Sequence, residues 1–245
     1  IGYDYIVTGH YARVEYDEKR DRYLLKKAVD DTKDQSYVLY MLTQEQLAHV
    51  KLPLGGLRKD QVRVIAEKHG FINARKHDSQ DICFVPDGDY AKFIEKYTGK
   101  KTPEGDFVDK EGNYIGRHKG IIHYTIGQRR GLGIPAASRL YVCEISPKTN
   151  TVVLGDNADL FSSELEADSV NLISVDNLSE PKRVTAKIRY RHKEQPATAW
   201  QTPDGILHVK FDEPQRAITK GQAVVMYDGD EVVGGGVINK IYSQS

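Results

Sequence analysis

Cysteine is scarce in this chain: 245 residues hold two, Cys83 and Cys143. So few thiols leave no disulfide framework and point to a reducing, cytoplasmic setting. No Cys/His grouping has the spacing of a structural zinc site, so no metal ligand is expected. Nothing within the chain resembles a secretory signal, and no apolar run is long enough to span a bilayer, so no membrane partner is expected. Net charge is missing too, because 35 Lys and Arg balance 35 Asp and Glu. A globally basic nucleic-acid binder is thereby excluded, and any RNA-binding surface has to be local. The chain also has no initiating methionine. It opens into Ile1-Gly2-Tyr3-Asp4-Tyr5-Ile6-Val7, which reads as the middle of a fold.

At this length more than one core can be buried, so two or three domains are expected. Residues 1–91 alternate strand and helix signals. Tyr5-Ile6-Val7 reads as a short strand entering Thr8-Gly9-His10, and residues 12–16 and 23–28 flank the charged turn 17–21 as a hairpin. Val62, Ile65, Ala66 and His69 fall on one face of a helix that Gly70 stops. These features fit the second half of an α/β sheet domain, in which ligands sit at the carboxyl ends of strands, where Thr8-Gly9-His10 lies.

Residues 92–161 read as a small central domain. It is entered by a helix on which Tyr90, Phe93, Ile94 and Tyr97 share a face, with Asp87 and Asp89 before it and Gly99 after it. Residues 117–130 then carry four Lys/Arg and no acid, next to the glycines of residues 127–133. A phosphate-contacting loop and a merely solvated basic loop are both open readings.

Residues 162–245 follow a change of composition, since residues 156–180 hold seven acids and no Lys or Arg. Short strands separated by turns such as Pro203-Asp204-Gly205 and Asp228-Gly229-Asp230 have the spacing of a small antiparallel β-barrel. Period-two alternation in residues 182–191 turns Val184, Ala186, Ile188 and Tyr190 to one face. Arg183, Lys187, Arg189 and Arg191 fall on the other, as an RNA backbone track or as charge that blocks edge pairing.

Lys76-His77-Asp78-Ser79-Gln80-Asp81-Ile82-Cys83-Phe84 sets Cys83 among polar residues after the helix. An exposed reactive sulfur and a small buried hydrophobe both fit that local pattern. Cys143 differs, because Leu140-Tyr141-Val142-Cys143-Glu144-Ile145 alternates like an ordinary strand, and it reads as structural.

Five segments stand in order along the chain: residues 4–11 (DYIVTGHY), 33–37 (KDQSY), 79–84 (SQDICF), 123–133 (HYTIGQRRGLG) and Gly234-Gly235-Gly236. Together they resemble the tRNA-specific 2-thiouridylases, the family that replaces the C2 oxygen of the wobble uridine with sulfur. The resemblance covers nearly the whole chain. It implies an α/β plus β architecture: the C-terminal half of an adenine nucleotide hydrolase-like α/β catalytic domain (1–91), a central domain (92–161) and a tRNA-binding antiparallel β-barrel (162–245).

The resemblance also implies site residues. Cys83 is the persulfide carrier, and the backbone of Gly9 lies against ATP, where only glycine lets the chain approach so closely. His10 sits near the substrate RNA. Lys33, Asp34 and Gln35 contact tRNA, as do Arg189 and Tyr190 from the barrel and Gln222 beyond them. For Tyr190 the two readings conflict, since alternation turns it inward; a strand end or bulge there reconciles them. The implied cofactor is ATP with Mg2+. Implied partners are tRNAs for Lys, Glu and Gln, and a cysteine desulfurase or sulfur-relay protein that loads Cys83. A pyrophosphate loop of the Ser-Gly-Gly-x-Asp-Ser type, and a first cysteine able to form a transient disulfide bond with Cys83, are expected ahead of Ile1, so this stretch alone is expected to be inactive. The rival readings are a noncatalytic RNA-binding module with an inert Cys83 and another adenylating sulfur or amide transferase.

The two thiols should differ in reactivity, because the thiolate is the nucleophile and polar surroundings favour it. Brief limiting alkylation of the native chain, read by mass spectrometry, should modify Cys83 well before Cys143; equal or reversed labelling counts against that assignment.

Overall fold

The computed structural model describes residues 2–72, 74, 85, 89–135 and 139–242. In chain order the elements are β1 (Ile6–Val7), β2 (Ala12–Asp17), β3 (Arg22–Lys27), α1 (Ser36–Leu39), α2 (Gln44–Ala48), β4 (Val50–Lys51), α3 (Lys59–Lys68) and α4 (Tyr90–Thr98). The strands β5 (Gly105–Val108), β6 (Tyr114–His118), β7 (Tyr141–Ser146), β8 (Thr151–Gly155), β9 (Phe161–Leu172), β10 (Lys182–Lys187), β11 (Gln195–Gln201), β12 (Leu207–Arg216), β13 (Ala223–Asp228) and β14 (Glu231–Tyr242) follow. They sort into two units. One comprises Ile1–Lys76, Ser163–Pro214 and Thr219–Tyr242; the other comprises His77–Ser162, Gln215–Ile218 and Ser243–Ser245. The first and third stretches read from the sequence thus largely share a unit.

In the first unit the order β13-β10-β11-β12-β9-β14 closes on itself through a β13–β14 pairing, forming a six-stranded antiparallel barrel. Alternation explains the closure: Val184 and Ala186, Ala197 and Ala199, and Leu207, Val209 and Phe211 are buried while their neighbours face outward. Small alanines opposite Phe211 fill a narrow interior. The sheet then continues from β14 through β3 to β2, whose hairpin pairs Ala12 with Lys27 and Asp17 with Arg22.

Strand β13 breaks the alternation, with Val224 to Tyr227 buried in succession. Both of its faces are covered. The outer one carries a second core of Ala12, Leu25, Tyr37, Tyr40, Leu47, Ile173, Val225, Tyr227 and Val232. Each large side chain buried there is worth about 1.5–3 kcal/mol of transfer free energy. The α1–α2 segment is therefore held against the barrel wall. Gly235 makes the approach possible, because a Cβ there would lie 2.5 Å from the Val224 carbonyl oxygen and 2.7 Å from the Tyr40 ring. Threonine 43 begins α2 with a capping box shared with Gln46.

The α/β portion is short among the described residues. β1 pairs in parallel with β4, Ile6 opposite Val50, and Thr8 N–H extends the ladder to the Lys51 carbonyl at 3.1 Å. The helix read from the 62–69 spacing is α3, ended by Gly70 at φ 70°. No residue of α3 is fully buried; Val62 and Ala66 are half-buried, while Val64 and Ile65 are exposed.

In the second unit, α4 is capped by Asp89, whose carboxylate accepts from Lys92 N–H, and ends at the left-handed Gly99. The sheet order β6-β5-β8-β7 carries a core of Phe107, Tyr124, Val142, Val152 and Leu154. Buried His118 packs edge-on against Phe107 and Tyr124. Its Nδ1 accepts from Gly120 N–H at 3.0 Å while Nε2 donates to the Asn150 carbonyl at 3.1 Å.

Gly235→Ala should lower stability by about 1–3 kcal/mol, since backbone on one side and a packed ring on the other cannot both move away. Gly56→Ala is the matched control, with nothing within 4 Å of the added methyl. Thermal melts check both; equal melting temperatures for the two variants would show that the Tyr40 contact does not constrain the fold.

Candidate nucleic-acid interface

The loop after β3 is shaped by its own side chains. Asp34 accepts from Ala28 N–H at 3.0 Å, Ser36 N–H at 3.2 Å and the Ser36 hydroxyl at 2.7 Å. Gln35 exchanges two bonds with the Tyr11 backbone, accepting at 2.9 Å and donating at 2.8 Å. Asp30 is buried and accepts from the Thr32 hydroxyl at 2.6 Å, Lys59 N–H at 2.9 Å and Thr32 N–H at 3.1 Å. These donors, the Thr32 hydroxyl first and Lys59 N–H next, hold its carboxyl below the usual range. The expectation that the polar mix of 33–35 faces RNA needs adjustment. Asp34 and Gln35 spend their acceptors inward, and Lys33 is the half-buried cation they present.

Tyr37 follows at once and is buried, its hydroxyl donating to the Ala223 carbonyl at 2.9 Å. Burial pushes the phenol up to about 12, so it stays a neutral donor. The ring of Tyr190 leans on it, centroids 6.1 Å apart and planes 57° tilted. Tyr190 is 42% exposed, which corrects the alternation reading that turned it inward. The reason is that β10 ends at Lys187; Val184, Ala186 and Ile188 do face the core, but Tyr190 and Arg191 belong to a turn closed by His192 N–H donating to the Arg189 carbonyl at 3.0 Å.

The expected four-cation strand face is not one face. Arg183 forms a two-pronged pair with Asp212 at 2.8 and 2.7 Å. Lys187 sits 5.7 Å from the centroid of the Tyr227 ring. Arg189 donates to the Thr219 hydroxyl at 2.9 Å, and Arg191 lies beyond the strand, exposed. Through Thr219 the structure reaches Gln222, whose N–H donates to the Thr219 carbonyl at 3.2 Å and whose side chain is exposed. Lys33, Asp34, Gln35, Arg189, Tyr190 and Gln222, far apart in sequence, are thus brought together around Tyr37. Tyr37 and Thr219 are the members missed as sequence candidates; the aromatic directly after the 33–36 motif was the available signal for the first, and nothing local marked the second.

Gly9 and His10 join this region through Tyr11 and Gln35. Thr8 Oγ1 and His10 Nδ1 are 2.7 Å apart. A Cβ on Gly9 would meet only Leu54 Cδ1, at an ordinary 3.6 Å, so nothing within the described chain requires glycine there. Its exposed backbone, just past the carboxyl end of β1, suits a nucleotide pressed against it.

Cys83 and its motif lie outside the described residues. Cys143 lies on β7, half-buried, its thiol donating to the Tyr141 carbonyl at 3.5 Å. Burial, and then Asp159, push that thiol up to about 11, in keeping with a structural cysteine. In the second unit the 127–133 turn is pinned by Gly127 N–H to the Val142 carbonyl and Val142 N–H to the Gln128 carbonyl, at 2.8 and 2.9 Å. Arg117 there is paired with Asp106, whereas Lys119, Arg129 and Arg130 are exposed. Among the described residues no group of three or more His, Cys, Asp or Glu could hold a metal ion. None of their helices is long and apolar enough to cross a membrane.

Three matches to families run along the chain. Residues 1–87 match the tRNA methyl transferase HUP domain, residues 91–156 the tRNA methyl transferase PRC-barrel domain, and residues 162–238 the aminomethyltransferase beta-barrel domain. Among individual relatives, a tRNA-specific 2-thiouridylase MnmA of Clostridioides difficile (strain 630) is 58% identical over 98% of this chain and 66% of its own length. One from Acetivibrio thermocellus is 56% identical over 97% of the chain and 66% of its own length. One from Thermoanaerobacter sp. (strain X514) is 56% identical over 96% of the chain and 65% of its length. The chain therefore spans just under two thirds of these relatives.

Asp30 ties the 30–35 loop to the start of α3, and its depressed pKa sets the sign of a pH effect. Its stabilisation is fully present above the unfolded value of about 3.9 and is lost as pH falls through the lower folded value. Asp30→Asn should therefore melt lower at pH 7, and the gap to the parent should narrow as pH is taken from about 5 to 3. Melting curves running parallel over that range would remove Asp30 from the acid sensitivity.

Proposed function

This chain belongs to the family of tRNA-specific 2-thiouridylases, and we propose that it supplies the sulfur-carrying cysteine and the tRNA-binding surface of an enzyme that 2-thiolates the wobble uridine of tRNA. The observation that carries this reading is the convergence of Lys33, Asp34, Gln35, Arg189, Tyr190 and Gln222 around Tyr37. An exposed aromatic ring beside cations and polar groups suits an unstacked single-stranded loop, the form in which RNA sequence is read. Local placement also agrees with the balanced charge. The family descriptions speak of methyl transfer, but relatives above half identity are named thiouridylases, and the Cys83 motif supplies what sulfur transfer requires.

Replacing a carbonyl-like oxygen needs a leaving group and a sulfur nucleophile. ATP with Mg2+, when bound, supplies the first by adenylating the C2 oxygen. Gly9 gives the nucleotide close backbone approach, and His10, oriented by Thr8, faces the substrate. Cys83 carries sulfane sulfur, whose terminal atom bonds to C2 as AMP departs. A second thiol then attacks the Cys83 sulfur, leaving the modified base and a transient disulfide. Cys143 is no substitute, being half-buried with a raised pKa. A cysteine desulfurase or sulfur-relay protein loads Cys83 in the cytoplasm, and the acceptors are tRNAs for Lys, Glu and Gln.

Cys83→Ser in the full-length protein tests this against a noncatalytic RNA-binding role. The hydroxyl is nearly isosteric but holds no sulfane sulfur, so ATP-dependent 2-thiouridine formation should vanish while tRNA affinity stays within a few-fold. An active serine variant removes Cys83 from the chemistry; a parent protein that binds tRNA but never accepts persulfide sulfur on Cys83 favours the binding role.

A further inference from the structure

We propose that the cleft between the 30–35 loop and the turn after β10 is a subsite for one unstacked ribonucleotide, with its base on the open side of Tyr190 and its phosphate held by Arg191 and Lys193. This rests on the tRNA-binding reading above and extends it to residues that reading leaves unused. The cleft measures about 410 Å³ and is lined by Asp31, Lys187, Tyr190, Arg191, His192 and Lys193 among others. That size lies at the lower end of the ~300–1,000 Å³ typical of small-molecule sites.

Its charges are sorted by what already satisfies them. Glu194 is taken by Lys27 at 2.7 Å and by the Thr185 hydroxyl at 2.7 Å. Asp34 is taken by Ser36 and Ala28. Lys187 leans toward the Tyr227 ring. Arg191 and Lys193 are exposed and form no ion pair among the described residues, so they remain for phosphate. The exposed carboxylate of Asp31 is likewise uncommitted, an acceptor suited to a ribose 2′-hydroxyl, which DNA lacks. His192 also lines the cleft, its Nδ1 turned away from solvent. Tyr37 behind Tyr190 keeps the ring from collapsing inward when its outer side is empty.

The test is fluorescence anisotropy of the chain with an anticodon stem-loop RNA across a salt series. Arg191→Ala with Lys193→Ala should weaken binding about tenfold near ~0.1 M salt and lower the log–log salt slope by about 0.7 for each cation lost. Tyr190→Ala should weaken it about tenfold and Tyr190→Phe hardly at all, since stacking needs only the ring. With loop RNAs abasic at each position in turn, the Tyr190→Ala penalty should disappear at one position. At that same position a 2′-deoxy substitution should weaken the parent but not Asp31→Ala. A penalty that persists at every abasic position, or an unchanged salt slope, overturns the subsite while leaving tRNA binding in place; a parent chain that binds tRNA no better than unrelated RNA overturns both. Circular dichroism melts of each variant, with Arg191→Gln as the milder replacement, separate lost contact from lost fold.

Discussion

Everything that makes this surface depends on one packing contact, the seating of the α1–α2 segment on the outer wall of the barrel. Tyr37, Tyr40 and Leu47 press on Val225, Tyr227 and Val232 there, and Gly235 leaves the space that Tyr40 fills. Without it, the 30–35 loop would have no fixed relation to the turn after β10. With it, two segments separated by most of the chain present Lys33 and Tyr190 on one surface. The same contact explains why β13 is buried on both faces while its neighbours alternate.

The loop residues divide their labour according to acceptor geometry. Asp30, Asp34 and Gln35 turn their oxygens toward backbone N–H groups and so fix the chain path. A loop preordered in that way loses less conformational entropy on binding any partner. Of the outward groups, Tyr190 is backed by the buried Tyr37, and Gln222 is tied through its backbone N–H to Thr219. Tyr190 shows the principle most directly, supported from behind by a buried tyrosine whose hydroxyl is tied to the barrel at Ala223.

The second unit offers a different kind of basic surface. Its 127–133 turn is pinned to β7 by backbone bonds and by Gln128, leaving Arg129 and Arg130 exposed on a stiff support. Arg117, in contrast, faces Asp106 at 3.4 Å, an exposed ion pair that competes with phosphate for its guanidinium. Arg183 with Asp212 makes the same point in the barrel.

Local pattern in the sequence determined the elements: the β2–β3 hairpin from its charged turn, α3 and α4 from their spacing and terminal glycines, the barrel strands from alternation, and Cys143 as a strand residue. Periods of 2 and 3.6 residues are local properties of backbone geometry, so they are legible without knowing what packs where. The family motifs named Lys33, Asp34, Gln35, Arg189, Tyr190 and Gln222, but not which of them face outward. Only the tertiary structure decided that. Where β10 ends depends on the turn that His192 closes, which moved Tyr190 from the expected core face to the surface. Whether a charge is free depends on a partner such as Asp212, 29 positions from Arg183. Both outcomes rest on long-range contacts, whose formation is set by the burial of whole faces rather than by any neighbour in the chain.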